Sequence, residues 1–132
     1  MKWILIASGG AIGSLARYWM QGAVYSVTGL VFPLGTMLVN ILGCFAIGLL
    51  YATFSGPFPI RDEIRIGLLV GVLGGFTTFS AFGLETILMA REGRMGLALL
   101  NVVLSCVLGL LAVWCGHRLA EYCFGAADVL PR

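Results

Sequence analysis

Four long stretches of this chain carry no charged side chain: residues 3–16, 18–60, 66–84 and, with His117 taken as neutral, 95–117. A helix needs about 20 apolar residues to cross a bilayer core of about 30 Å. The second stretch holds the end of one span, a turn and a whole second span, with Gly29 and Pro33 marking the turn. The pattern predicts an all-α membrane protein of four transmembrane helices, at about 3–26, 33–54, 65–89 and 96–121. Barrel strands do not fit, because the stretches are long and do not alternate in polarity.

Composition agrees. Of 132 residues, 60% are hydrophobic and 11% charged, whereas a soluble domain carries about a quarter charged residues. Lipid is therefore the expected solvent, and the length suits one transmembrane domain, 1–132. The net charge of +2, spread thinly, gives no footing to a nucleic-acid partner. A cleaved signal peptide is disfavoured, since the apolar run continues past Arg17 into Tyr18-Trp19-Met20 without a clean small-residue cleavage site. Cys44, Cys106, Cys115 and Cys123 form no CxxC pair and read as small buried apolar residues.

Four spans put both termini and the loop around 55–64 on one side, with Lys2, Arg61, Arg65, Arg118 and Arg132. The other side has Arg17, Arg91 and Arg94. Orientation follows the Lys/Arg asymmetry of short loops, and here it is weak. Charge alone leaves two arrangements open: an antiparallel dual-topology homodimer, and one fixed orientation with cytoplasmic termini.

Nineteen glycines fall partly at helical spacing, Gly9-x3-Gly13 in the first span and Gly67-x3-Gly71-x3-Gly75 in the third. Such stripes let helix backbones approach closely in lipid. Polar residues inside spans say more, because each is costly in hydrocarbon unless paired or wet. Thr36, Asn40 and Gly43 share a face of span two, Asn101, Ser105 and Gly109 a face of span four, and Gly9, Gly13 and Arg17 a face of span one. A single asparagine divides evenly between interhelical glue and function; two on separate stripes, with an arginine, point to a lined pathway.

Span three reads Gly74-Gly75-Phe76-Thr77-Thr78-Phe79-Ser80-Ala81-Phe82. Two glycines followed by two β-branched threonines disfavour a continuous helix. Hydroxyls can hold the freed backbone groups, and a break at mid-membrane presents carbonyls and amides as ion ligands. Glu85, one turn after Phe82, needs water or a partner for its charge.

These residues resemble the Fluc (CrcB-like) fluoride channels over nearly the whole chain. The resemblance rests on Gly9-Gly10-x2-Gly13-x3-Arg17-Tyr18, on Gly35-Thr36-x2-Val39-Asn40-x2-Gly43, on Gly74 to Phe82 with Glu85, and on Asn101 with Gly109. It implies a dual-topology homodimer with two antiparallel fluoride pores in a bacterial plasma membrane. It implies a structural sodium ion at the dimer interface, held by backbone carbonyls that match Gly74 and Thr77. By the same matching, Phe79 and Phe82 are the pore-lining aromatic pair and Asn40 the pore asparagine. Arg17 is then the vestibule arginine, Glu85 the acid at one pore end, and Thr36 and Ser80 polar positions near the path. Ala81, Gly83, Cys106 and Leu110 depart from the family's more polar pattern, which bears on the outer part of the polar track.

The chemistry is sensible for a small, hard, strongly hydrated anion. Asn amides and Ser/Thr hydroxyls donate hydrogen bonds, phenyl edges carry partial positive charge, and weak multi-site binding permits exit. A proton-coupled multidrug exporter of similar size needs a carboxylate in span one, where this chain has Arg17 and no acid. A non-transporting scaffold explains the glycines but not the polar, interrupted third span. An enzyme is disfavoured, since the sequence presents no nucleophile–base set, and His117 near the end of span four reads as interfacial.

Overall fold

A computed structural model describes residues 1–29, 32–56 and 58–125. Among them every regular element is helical. Helix α1 (Lys2–Thr28) ends where Gly29 turns left-handed, φ 57°, and donates its N–H to the Tyr25 carbonyl at 2.8 Å. A residue with a β-carbon would resist that conformation. Helix α2 (Leu34–Ser55) starts directly after Pro33, whose fixed φ suits a helix start. The turn therefore forms at Gly29 and Pro33.

The third segment begins as α3 (Asp62–Ile66), with Asp62 and Glu63 placed where the helix dipole favours negative charge. It widens into a π-helix over Gly67–Val72, then tightens to α4 (Leu73–Phe76). Thr77 and Thr78 leave helical geometry, at φ −78°, ψ 156° and φ −150°, ψ 115°. Helix α5 (Phe79–Arg91) then starts on Thr78 as its cap, the Thr78 hydroxyl accepting from the Ala81 N–H at 3.2 Å. Gly93, at φ 76°, makes the turn into α6 (Met95–Phe124).

Two close crossings hold the bundle. The glycine stripe of α1 meets that of the third segment: a β-carbon on Gly9 would sit 2.7 Å from the Gly67 carbonyl oxygen, and one on Gly13 would strike that of Val72. Helix α2 lies along α6. There Gly48 faces the Val113 carbonyl, Gly116 faces that of Phe45, and Ala52 and Ala120 close the core. With backbones this near, dispersion and Cα–H contacts supply the attraction that hydrophobicity cannot supply in lipid.

Among the described residues three stretches are long and apolar enough to cross a membrane: Leu34–Ser55, Asp62–Arg91 and Met95–Phe124. The sequence reading expects four. Helix α1 has the length but is less apolar, because Lys2, Arg17, Gln21 and a run of Ser and Gly dilute its aliphatic residues. Trp3, Trp19, Leu110 and Trp114 are all exposed on the outer faces of the chain, the arrangement of a protein solvated by lipid.

The cysteine reading needs correcting. Cys106, Cys115 and Cys123 are exposed on the chain and Cys44 is half-buried, because helix–helix contacts are made by glycine and alanine. All four thiols are free. His117 is 6% exposed, packed where Gly48 of α2 crosses α6, with its Nδ1 3.5 Å from Glu121 Oε1.

Candidate functional site at the interrupted third segment

A peptide that leaves the helix in apolar surroundings must find other partners. At Thr77–Thr78 each freed group has one. Asn40 of α2 meets both polar groups of Thr78: its Nδ2 donates to the Thr78 carbonyl at 2.9 Å, and the Thr78 N–H donates to its Oδ1 at 2.7 Å. Arg17 of α1 donates through Nη1 to the Thr77 carbonyl at 3.2 Å. The Thr77 hydroxyl returns to the Leu73 carbonyl at 2.9 Å. Ser80 lies beside Thr78, their hydroxyl oxygens 3.3 Å apart.

The polar stripe of α2 runs along this segment residue by residue. Gly43 leaves the space that the Thr77 methyl fills, since a β-carbon there would strike it. Asn40, one turn earlier, holds Thr78. Thr36, one turn earlier again, donates to Glu85 Oε1 at 2.7 Å and accepts from Gln21 Nε2 at 2.9 Å. Glu85 Oε2 is buried without a partner among the described residues. Spacing of i, i+4, i+7 on a helix is what aligns these three positions.

Two cavities flank the stripe. One, of about 350 Å³, is lined by Asn40, Thr77, Thr78, Phe79, Phe82 and Gly74, with Cys44, Ser105 and Cys106 on its far walls. The Phe79 and Phe82 rings lie 5.3 Å apart at 45°, and Phe79 is 82% exposed on the single chain. The other cavity, of about 580 Å³, is lined by Gln21, Tyr25, Thr28, Thr36, Glu85 and Glu92 among others. The sequence-predicted residues thus divide. Asn40, Phe79, Phe82, Gly74 and Thr77 gather at the first cavity, Thr36 and Glu85 at the second. Arg17 and Ser80 line neither and touch the interruption itself.

Two residues escaped the sequence reading. Gln21 continues the Gly9, Gly13, Arg17 stripe by one more turn, so its spacing was the available signal. Thr86 accepts from the buried Asn101 Nδ2 at 2.8 Å and donates to the Phe82 carbonyl at 2.7 Å. Ser105 extends that chain, donating to Asn101 Oδ1 at 3.4 Å. Nothing in the sequence marks Thr86 except its place one residue after Glu85.

The backbone here suits a hard cation. In a continuous helix the Thr78 N–H would serve the Gly74 carbonyl, and the Ala81 N–H the Thr77 carbonyl. Those amides go instead to Asn40 and to the Thr78 hydroxyl. The two carbonyl oxygens lose those helical donors, the Thr77 oxygen keeping the Arg17 N–H at 3.2 Å, and carbonyl oxygen is the ligand type sodium-like ions accept. No group of three or more His, Cys, Asp or Glu side chains suited to a metal occurs among the described residues.

Comparison with known proteins identifies the family. Residues 4–117 match the family described as CrcB-like protein, Camphor Resistance (CrcB). A protein of Solibacter usitatus named fluoride-specific ion channel FluC is 49% identical over 92% of this chain and 99% of its own length. Proteins of the same name from Methylobacillus flagellatus and Rhodospirillum rubrum are 48% and 45% identical, each over 89% of this chain and 93% and 92% of their own lengths. The chain, a multi-pass membrane protein with an interrupted third segment, therefore belongs to the CrcB family.

Proposed function

We propose that this chain is a passive, selective fluoride channel of a bacterial plasma membrane, active as an antiparallel homodimer with two pores. The observation that carries the reading is the meeting of Asn40, the Thr77–Thr78 interruption and the Phe79/Phe82 pair on one cavity, in a chain nearly half identical to named fluoride channels.

Helix α1 serves as the fourth span. Its 27 residues reach about 40 Å at 1.5 Å per residue. Arg17 is tolerated because its guanidinium spends itself on the Thr77 carbonyl. Fluoride enters past the Thr36–Glu85 end and sheds water against donors. The Asn40 amide keeps a second N–H after serving Thr78. The Phe79 and Phe82 edges carry the anion on without a strong well to trap it. Sodium held by the Gly74 and Thr77 carbonyls of both subunits would join the two interruptions and offset the anion's charge. No carboxylate lies in α1 to couple protons to export.

The test is efflux from liposomes loaded with potassium fluoride or chloride after adding a potassium ionophore. Fluoride should leave and chloride stay; equal release, or dependence on a proton gradient, would refute the proposal. Lysines added to one terminus should fix one orientation and abolish flux. Mixing with the oppositely biased form should restore it, and full flux from either form alone would refute the antiparallel dimer.

A further inference from the structure

The first cavity holds two thiols that the fluoride reading does not use. Cys44 stands on α2, one turn from Asn40, and Cys106 on α6, beside Ser105; both line the cavity that Phe79 and Phe82 enclose. The two helices lie along one another. A β-carbon placed on Gly109 would lie 3.5 Å from the Cys44 sulfur. Cys106 precedes Gly109 by three residues, so their β-positions share a face of α6 about 5–6 Å apart. The Cys44 sulfur therefore looks onto the α6 strip that carries Cys106, across a space with mostly apolar walls. Cys115 and Cys123 line neither cavity.

From this juxtaposition we infer that Cys44 and Cys106 form a binding site for soft, thiophilic cations, and that its occupancy closes the fluoride path. The blockade half of the inference rests on the channel reading above; the binding half does not. Soft two-coordinate ions prefer thiolate to the oxygen donors that surround the interruption. Mercuric chloride enters apolar spaces as a neutral molecule. One HgCl2 exchanges its two chlorides for two thiolates, and two protons and two chloride ions leave. No electron is transferred. The bridged metal stands one helical turn from Asn40, where it fills the space an anion must cross.

The experiment uses the full chain in liposomes with Cys115→Ala and Cys123→Ala, which removes only thiols outside both cavities. Mercuric chloride at one equivalent should add one mercury by intact mass and consume two free thiols. Fluoride efflux should fall by about tenfold or more, as expected when a single-file path is obstructed, and excess dithiol should restore it. Cys44→Ala or Cys106→Ala alone should take up mercury on one thiol only, consuming one free thiol and keeping one chloride on the metal. With both replaced, efflux compared with its own untreated rate should be insensitive to mercury; Cys44→Ser with Cys106→Ser repeats the test should alanine disturb packing. Consumption of fewer than two thiols overturns the shared site. Bridging without slowed efflux, or inhibition that survives loss of both thiols, overturns the blockade. A protein that bridges mercury yet conducts no fluoride before treatment refutes the channel reading and the blockade together, and leaves the binding site standing.

Discussion

Replacing Asn40 by leucine removes a side chain of similar size that holds both backbone polar groups of one residue, Thr78. Thr78 is 7% exposed, so water does not take over. Two hydrogen bonds are lost, of 2.9 and 2.7 Å, and a buried N–H and C=O are stranded. In water-soluble proteins stranding costs about 1–3 kcal/mol per group, or about 2–6 kcal/mol here. Interhelical hydrogen bonds in membranes are worth less, about 0.6 kcal/mol on average and about 1.7 at most, because the unfolded chain in lipid also finds partners. The expected loss for Asn40→Leu is therefore about 1–3 kcal/mol, read as a shift of the unfolding midpoint in detergent with rising dodecyl sulfate. Fluoride efflux should fall with it. Asn40→Asp separates the two effects. A carboxylate still accepts from the Thr78 N–H but turns lone pairs toward the Thr78 carbonyl, and it sets a negative charge on the anion's path. It should unfold closer to the parent than the leucine variant does and yet conduct least. A leucine variant with parental stability and efflux would refute the reasoning, as would an aspartate variant that conducts normally.

Gly13→Val drives a side chain into the Val72 carbonyl and should cost about 1–3 kcal/mol by overpacking or prevent assembly. Gly22→Ala, with open space around it, should leave the unfolding midpoint unmoved, and equal effects at the two sites would refute the close crossing. Thr36→Val takes a donor from Glu85 and an acceptor from Gln21 and should slow efflux in a chain that purifies normally; unchanged efflux would remove this end from the path. Phe79→Ile should shift stability by no more than about 0.5 kcal/mol, as for an exposed position, while efflux drops because the ring edge is gone. Normal efflux through Phe79→Ile and Phe82→Ile would leave Asn40 and the hydroxyls as the donors.

The sequence exposed those features that depend on one helix at a time. Charge-free runs gave the helices, and i, i+4 spacing put Thr36, Asn40 and Gly43 on one face before anything showed what they faced. The two glycine stripes could be read separately, and their meeting follows from the small volume each presents. What stayed hidden depends on pairs. Gln21 and Thr86 become site residues only because α2 brings Thr36, and α6 brings Asn101, within reach. The π-helix at Gly67–Val72 leaves no mark in composition, since one extra residue in a turn changes neither polarity nor propensity. The cysteines misled because burial in this chain follows smallness rather than hydrophobicity.

The interruption is over-determined, and that explains why so many polar residues converge on two threonines. Helix α1 holds the Thr77 carbonyl through Arg17, α2 holds Thr78 through Asn40, and the Thr78 hydroxyl starts α5. Each of these contacts also diverts a donor from helical service or draws a charge into the bundle. By taking the Thr78 N–H, Asn40 releases the Gly74 carbonyl; by capping α5, Thr78 releases that of Thr77. The residue proposed to meet fluoride is thus the one that frees an oxygen proposed to meet sodium. On the proposed reading, anion path and cation site would meet at this one interruption, so a change in either would disturb the other. A loop held only by its own residues would lack that property. The close glycine crossings of α1 give it rigidity, because they fix the helix that carries Arg17 against the segment whose carbonyl Arg17 holds.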